Sequence, residues 1–270
     1  MIVEAAAFHP VHIKREMELP FYITSIGTTP EEYEIYRPVG IDSYQILYSE
    51  KGSGMAQLYG VWVPVPEKSL LIIPPDTAHH YKMQGDVWQT CWVTFSGWGT
   101  ERFFDVDAIV VPVPDEIDFM GIFSRLLEYR NTQQWNLQSS ALLYSILIEC
   151  RELIPKEEGT AYKLREKLKN CFDYIQNHYM DVIELSQLAE NSGMTREHLC
   201  RIFKQYTGMR PFEYITKIRL RKAKELLVLY NEMSIVKIAK KTGFQSSSYF
   251  SLVFRKYIGC TAEEYRKINI

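Results

Sequence analysis

The last hundred residues of this chain carry one helical pattern written twice, and that repetition restricts the fold more than any other feature. Leu185, Leu188, Ala189, Gly193 and Met194 stand fifty residues before Ile235, Ile238, Ala239, Gly243 and Phe244. From there the offset is fifty-one, pairing Leu199 with Phe250, Ile202 with Val253, Phe203 with Phe254, Lys204 with Arg255, Tyr206 with Tyr257, Gly208 with Gly259 and Tyr214 with Tyr265. One residue has been inserted at a turn. Leu-x-x-Leu-Ala makes the apolar face of a short helix, and the small Ala189 lets a second helix cross it closely. Gly193 supplies a residue free to take positive φ where that helix stops. Thr195 begins the next helix, with Glu197 and His198 in its first turn and Leu199, Ile202, Phe203 and Tyr206 on one face. The pattern predicts two helix-turn-helix motifs, at about 185–206 and 235–257, whose second helices suit a major groove. A plain bundle with a duplicated hairpin would not need the same punctuation in both copies.

The segment between the motifs sharpens this. Pro211 suits the first turn of a helix, and Phe212, Ile215, Ile218, Ala223, Leu226 and Leu227 give an apolar stripe running towards Leu229. Such a helix spans roughly 25 Å at ~1.5 Å per residue, enough to hold two recognition helices near one DNA turn apart, ~34 Å. Charge agrees. Residues 163–270 carry 20 Lys and Arg against 11 Asp and Glu, whereas residues 1–162 carry 11 against 22, so the overall −2 conceals an acidic front and a basic rear. A basic half attracts phosphate, with an affinity that falls with salt.

The runs "LAENSGMTREHLCRIFKQYTGMRPFEYITKIRLRKAKELL" and "SIVKIAKKTGFQSSSYFSLVFRKYIGCTAEEYRK" resemble the DNA-binding domain of the AraC/XylS family of bacterial transcription regulators, over roughly Leu168 to Lys267. Carried over residue by residue, the resemblance implies that Arg196, Glu197, Cys200 and Arg201 of the first recognition helix face the groove. Arg201 is the residue expected to read a base, since a guanidinium can donate two hydrogen bonds to guanine O6 and N7. Lys204 and Gln205 are expected on phosphate. In the second motif the implied contacts are Ser246, Ser247, Ser248, Ser251, Leu252 and Arg255. Leu252 stands where the family often has Arg, and Ala262 where it commonly has Pro. A row of serines and a leucine contributes position and affinity more than discrimination, so the first motif is expected to do most of the reading.

The front half is different material. From Tyr22 to about Gly99 short apolar runs, "YQILYS", "SLLIIP" and "TCWVTF", alternate with Gly, Pro and Asp turns, which suggests an antiparallel sandwich or small barrel. "DEIDFMGIFSRLLEYR" and "SSALLYSILIECREL" then read as two amphipathic helices. The expected architecture is an N-terminal all-β cupin-like barrel followed by helices, and a C-terminal all-α domain with two helix-turn-helix motifs joined by a long helix. Its divisions are an effector-binding barrel with an N-terminal arm at 1–115, a helical dimerisation segment at 116–154, a polar linker at 155–162 and the DNA-binding domain at 163–270.

"PPDTAHHYKMQGDVWQTCWVTFSG", with Thr29, Pro30 and "RPVG" at 37–40 upstream, resembles the sugar-sensing cupin-like domain of the family's arabinose-responsive branch. That resemblance implies an effector pocket built from Thr29, Arg37, Tyr81, Thr90 and Trp92, with His80 beside them. An indole face packs against the C–H side of a pyranose, while Arg, Tyr and Thr hydrogen-bond hydroxyls that leave water. Thr90 replaces a His of that branch, so a carbohydrate other than arabinose is favoured. Trp88, Trp92, Phe95 and Trp98 read equally as core or wall. Adjacent His79 and His80 point to opposite faces of a strand and cannot reproduce a cupin's His-x-His ligand set, so no metal is expected.

The remaining chemistry is expected to be absent. Cysteines at 91, 150, 171, 200 and 260 lie far apart without a Cys-x-x-Cys, which fits a reducing cytoplasm and neither zinc nor disulfides. No signal peptide and no membrane span are expected. No catalytic residues and no cofactor are assigned, because phosphate loops, nucleophile elbows and paired carboxylates have no scaffold. Leu142, Leu143, Ile146, Leu147 and Cys150 make the helix at 137–153 apolar over a wide arc, which either docks on the barrel or pairs with a second copy; the resemblance favours a homodimer. The reading is a sugar-responsive transcription regulator, an activator of carbohydrate-utilisation genes. Its expected partners are double-stranded operator DNA, a small-molecule effector, a second copy and RNA polymerase. The alternatives are the same regulator with a non-sugar effector or none, and a cupin-type enzyme with a DNA-binding tail.

Overall fold

The computed structural model describes residues 6–10, 17–31, 34–104, 106–130, 132, 135–155 and 160–269. Parts of the expected N-terminal arm, 1–5 and 11–16, and of the expected linker, 156–159, lie outside the described residues. By contact the chain divides into two units, whose main boundary falls between Tyr162 and Lys163; of the described residues before it, Met17 alone is assigned to the second unit.

Among the described residues the front unit holds eight strands: β1 (Ala6–Phe8), β2 (Tyr22–Thr29), β3 (Ile35–Arg37), β4 (Tyr44–Leu58), β5 (Val61–Val65), β6 (Ser69–Ile73), β7 (His79–Ser96) and β8 (Ile109–Pro112). β4 and β7 pair antiparallel along almost their full length, Tyr44 with Phe95 at one end and Leu58 with His79 at the other. One half of this long ribbon is flanked by β2 and β6, the other by β3 and β5. The register shifts between the halves, at Ser49/Lys51 and Gly52/Ser53. Gly52 sits there at φ +76, and a Cβ on it would fall 1.9 Å from the Val87 carbonyl oxygen, so the bend requires glycine. The all-β front unit expected from the sequence is present, but among the described residues its hydrogen-bonded path runs from β1 to β8 and does not close into a ring.

Alternation along the first half sends Ile46, Tyr48, Leu70, Ile72, Val93 and Phe95 to one side. Among the described residues three helices accompany the sheet: α1 (Thr100–Phe103), α2 (Phe119–Tyr129) and α3 (Trp135–Leu153). Phe119, Phe123 and Leu126 of α2 and Leu143, Ile146, Leu147 and Cys150 of α3 join that side in one core. The stripe that left two options open in the sequence is therefore the docking face of α3. Its outward side carries Leu137, Ala141, Tyr144 and Ile148 instead. Inside, the Ser140 hydroxyl donates to the Phe21 carbonyl at 2.7 Å, so the small polar residue on the buried side keeps a partner.

The rear unit is helical: α4 (Thr160–His178), α5 (Leu185–Asn191), α6 (Arg196–Thr207), α7 (Pro211–Leu229), α8 (Ile235–Lys241), α9 (Ser247–Ile258) and α10 (Ala262–Ile268). Thr160 already opens α4, so the last residues of the expected linker are helical. Among the described residues two cores organise the unit. Leu168, Cys171 and Ile175 of α4 pack with Leu188, Ala189, Leu199, Ile202, Phe203, Ile215 and Ile218; Leu220, Ala223 and Leu227 of α7 pack with Ile238, Ala239, Phe244, Phe250, Val253, Phe254 and Ala262. Burial pushes the Cys171 thiol up to about 12, so it stays protonated and packs as a small apolar group.

Candidate nucleic-acid interface and effector face

The repeat in the sequence is a repeat in hydrogen bonds. Ser192 Oγ donates to the Leu188 carbonyl at 2.8 Å, and Thr242 Oγ1 to the Ile238 carbonyl at 2.9 Å, closing α5 and α8 alike. Gly193 and Gly243 then turn the chain at φ +63 and +83. Thr195 Oγ1 accepts from the His198 N–H at 3.2 Å and Ser246 Oγ from the Tyr249 N–H at 3.3 Å, so each recognition helix starts on a hydroxyl cap. The inserted residue is the exposed Gln245, between the glycine turn and the second cap. α7 runs nineteen residues, about 28 Å at 1.5 Å per residue, slightly longer than the sequence stripe implied.

On α6 the side chains of Arg196, Glu197, Arg201, Lys204 and Gln205 are exposed and Cys200 is half-buried. Arg201 Nη2 lies 3.0 Å from His198 Nδ1 one turn back, which orders the guanidinium on the exposed side of the helix. A cleft beside this helix is lined by Leu185, Cys200, Arg201, Lys204, Arg210, Pro211 and Phe212, so three cations surround one depression. The positions fifty-one residues on from Arg201, Lys204 and Arg210 are Leu252, Arg255 and Thr261, leaving one cation of three. On α9, Ser248, Ser251, Leu252 and Arg255 are exposed and Ser247 is half-buried; Leu252 keeps 66% of its surface in solvent. Ser246, expected among the DNA contacts, spends its oxygen on the cap. Tyr249 is 57% exposed in the first turn of α9. The sequence reading missed it, although the offset of fifty-one matches it to His198.

In the front unit, the side of the sheet away from α2 and α3 sets polar groups beside the buried Leu47, Leu71 and Ile73. Ser25, Thr29, Gln45, Ser49, Ser69, His79, Thr90 and Thr94 are all buried. Thr29 and Thr90 are cross-strand partners, and Trp92 lies between Gly27 on β2 and Leu47 on β4, with its Nε1 donating to Ser25 Oγ at 3.4 Å. The bend carries the second half of the ribbon within reach. Arg37 Nη1 donates to Gln45 Oε1 at 2.8 Å, and Gln45 Nε2 donates to Tyr81 Oη at 3.2 Å. Trp88 Nε1 donates to Ser49 Oγ at 2.9 Å, and its ring meets Tyr81 edge-on. Thr29, Arg37, Tyr81, Thr90 and Trp92 thus share one polar, aromatic face.

His80 does not join them. It points to the opposite face, 2.6 Å from Glu34 and beside the rings of Tyr36 and Trp62. His79 takes the inward place, stacked on Tyr81 with ring centroids 5.9 Å apart. Neighbouring strand residues alternate, so Tyr81 and His80 could not both face inward. His79 Nδ1 lies 2.8 Å from the Thr77 carbonyl, which can only accept; Nδ1 therefore holds the proton and Nε2 receives Arg37 Nη1 at 3.4 Å. Burial, first of all, pulls the His79 imidazole down to about 4, and the Arg37 charge adds to this against the Thr77 bond. Gln45, the hinge between Arg37 and Tyr81, was also missed; the one polar residue inside "YQILY" was its signal. Among the described residues no group of three or more His, Cys, Asp or Glu is placed to hold a metal ion, and no helix is long and apolar enough to cross a membrane.

Two family models match the chain. Residues 28–147 match an AraC-like ligand binding domain, and residues 188–268 a helix-turn-helix domain. The chain is 27% identical over 188 residues to the lactose operon transcription activator of Staphylococcus xylosus, covering 66% of this chain and 67% of that protein. It is 24% identical over 265 residues to the arabinose operon regulatory protein of Escherichia coli strain K12, covering 89% and 88%. An uncharacterised helix-turn-helix transcriptional regulator of Haemophilus influenzae is 34% identical over 130 residues; the chain spans 43% of its length.

Proposed function

The chain belongs to the AraC family of transcription regulators, with its ligand-binding domain in front and its helix-turn-helix domain behind, and from that premise we propose that it activates carbohydrate-utilisation genes in response to a sugar. The observation that carries the effector half is the set of buried polar and aromatic groups on one face of the front sheet, beside Leu47, Leu71 and Ile73. Ordinary β cores bury apolar side chains on both covered faces, whereas this one directs Thr29, Gln45, Tyr81, Thr90 and the indoles of Trp88 and Trp92 to one side. Aromatic planes with hydroxyl, amide and guanidinium groups between them match a pyranose, apolar on its C–H side and rich in hydroxyls at its rim. Relatives named for lactose and arabinose operons support the same ligand class.

For DNA, the three cations around α6 and the ordered Arg201 support the first motif as the reader, with bidentate contact of Arg201 to a guanine. Ser248, Ser251 and Arg255 of α9 suit phosphate positioning. A homodimer through the outward stripe of α3, Leu137, Ala141 and Ile148, would let two subunits span a longer operator. RNA polymerase is the partner an activator of this kind requires.

The deciding experiment is a thermal-shift screen of the full chain against mono- and disaccharides, read by tryptophan fluorescence. All five tryptophans, at 62, 88, 92, 98 and 135, precede residue 163 and so report the front unit. A sugar at a hundred times its Kd adds about 2.7 kcal/mol of apparent stability. The expected result is a shift that Trp92→Ala abolishes. No shift with any sugar, together with unchanged binding to promoter DNA in their presence, would refute the sugar reading.

A further inference from the structure

The two helix-turn-helix motifs have separate cores, and α7 enters both: Ile215 and Ile218 belong to the first, Leu220, Ala223 and Leu227 to the second. Arg219 stands at the handover. Its half-buried side chain leaves α7 and donates from Nε to the Tyr179 carbonyl at 2.7 Å and from Nη2 to the Asp181 carbonyl at 2.8 Å. Those carbonyls follow α4, the helix that backs the first motif. The same Tyr179 oxygen lies against the turn of the second motif, where a Cβ on Gly243 would come within 2.5 Å of it and 2.9 Å of Arg219 Nε. The equivalent Gly193 has nothing within 4 Å. The carboxylate of Asp181 and the hydroxyl of Tyr249, in the first turn of α9, are the titratable groups that face the guanidinium. One side chain therefore joins the segment that follows α4, the middle of the shared helix and the turn that launches the second recognition helix.

We propose that Arg219 is a positioning residue that fixes the angle between α6 and α9, and thereby the spacing of the two DNA segments one chain can engage. Two short motifs on a single helix would otherwise rock about its midpoint, because among the described residues neither core extends into the other. A fork of guanidinium N–H groups on two carbonyls resists that rocking in two directions, which a single ammonium cannot do. The spacing claim rests on the reading that both motifs contact one duplex; the brace does not.

The brace is tested on the full chain without DNA. Spin labels introduced as non-natural amino acids at Gln205 and Lys256 report the distance distribution between α6 and α9 by pulsed dipolar spectroscopy. Wild type is expected to give one narrow distribution, Arg219→Ala a broad one, and Arg219→Lys an intermediate width. An unchanged width in Arg219→Ala with wild-type circular dichroism overturns the proposal; should that variant not fold, an unchanged width in Arg219→Lys does so. The second arm uses a duplex selected from random sequence by the unlabelled wild-type chain, with one or two base pairs inserted between the protected segments. Each insertion rotates one segment by about a tenth of a turn. Because simultaneous engagement multiplies affinity by about a hundredfold or more, wild type loses a factor of that order on insertion, while Arg219→Ala binds the original duplex more weakly and responds less to the insertion. A broadened distance with an unchanged insertion penalty overturns the spacing role. A wild-type footprint on one segment alone refutes the two-motif reading instead, and is distinguished from failure of the brace by the spin-label result.

Discussion

Gly193 and Gly243 occupy the same place in two copies of one motif, both with positive φ, yet only Gly243 is crowded. Substituting alanine at each separates backbone strain from packing. An L-residue in the left-handed region costs ~1–2 kcal/mol, offset by ~0.4–1 kcal/mol because alanine lowers the entropy of the unfolded chain. Gly193→Ala, with open space around its Cβ, should therefore cost about 0.5–1 kcal/mol. Gly243→Ala bears the same strain and places a methyl 2.5 Å from the Tyr179 oxygen and 2.9 Å from the Met180 Cα, both backbone atoms that cannot rotate away. Pushing them back is overpacking, at about 1–3 kcal/mol more. Urea titration of the full chain followed by helical circular dichroism weighs mainly the rear unit, which holds most of the helical residues, and tryptophan fluorescence reads the front, so its transition identifies the front unit's share of the dichroism. A gap of that size separates the two dichroism midpoints by on the order of 1 M, while both fluorescence midpoints stay at the wild-type value. Equal dichroism midpoints for the two variants would refute the contact between the Tyr179 carbonyl and the second motif.

Two further outcomes follow from the sites. His79 is depressed to about 4 from the ordinary 6.5, so between those values the unfolded chain binds the proton and the folded chain does not. Its contribution is complete above about pH 6.5 and is lost as pH falls towards 4, a total of about 3 kcal/mol. The fluorescence-detected urea midpoint of the front unit should therefore drop between pH 7 and pH 4.5, and His79→Gln should flatten that drop; an identical drop in the variant would exclude His79 as its source. Arg201→Ala should cost ~1–3 kcal/mol on selected DNA and relax preference at one base pair. Equal losses on selected and random duplexes would reassign Arg201 to phosphate.

What could be read from the sequence depended on how locally each feature is determined. A glycine at the turn and a hydroxyl three residues before the amide it caps act within one turn of chain, so Gly193, Thr195 and the paired motifs were legible. His80 was misplaced although alternation along β7 already excluded it beside Tyr81. Alternation then fails as a guide between Tyr81 and Trp92, because the register shift near Gly52 resets which parity faces inward: odd residues before it, even residues after it. The apolar arc of α3 could not say whether it met its own sheet or a second copy; only packing distinguishes the two. Arg219 sits in "IRLRKAKELL", where a basic run reads as a solvated face, and its partners are forty and thirty-eight residues away.

That last case changes what the duplication means for DNA reading. Two independent motifs on a flexible joint would search separately, and the weaker one, with Leu252 and Thr261 where the first has Arg201 and Arg210, would add little. If the second motif is held in fixed register by the Arg219 fork, its phosphate contacts become intramolecular once the first has docked, and even a weak set gains from high effective concentration. Loss of discrimination at α9 is then compatible with a strong contribution to affinity. Salt separates the two cases. A rigid pair releases the counterions of both motifs in one event, giving a steep slope of log affinity against log salt. Arg219→Ala should flatten that slope towards the value of the first motif alone, since fewer phosphates are neutralised at once. A slope unchanged in the folded variant would mean that the second motif binds, or fails to bind, regardless of how it is held.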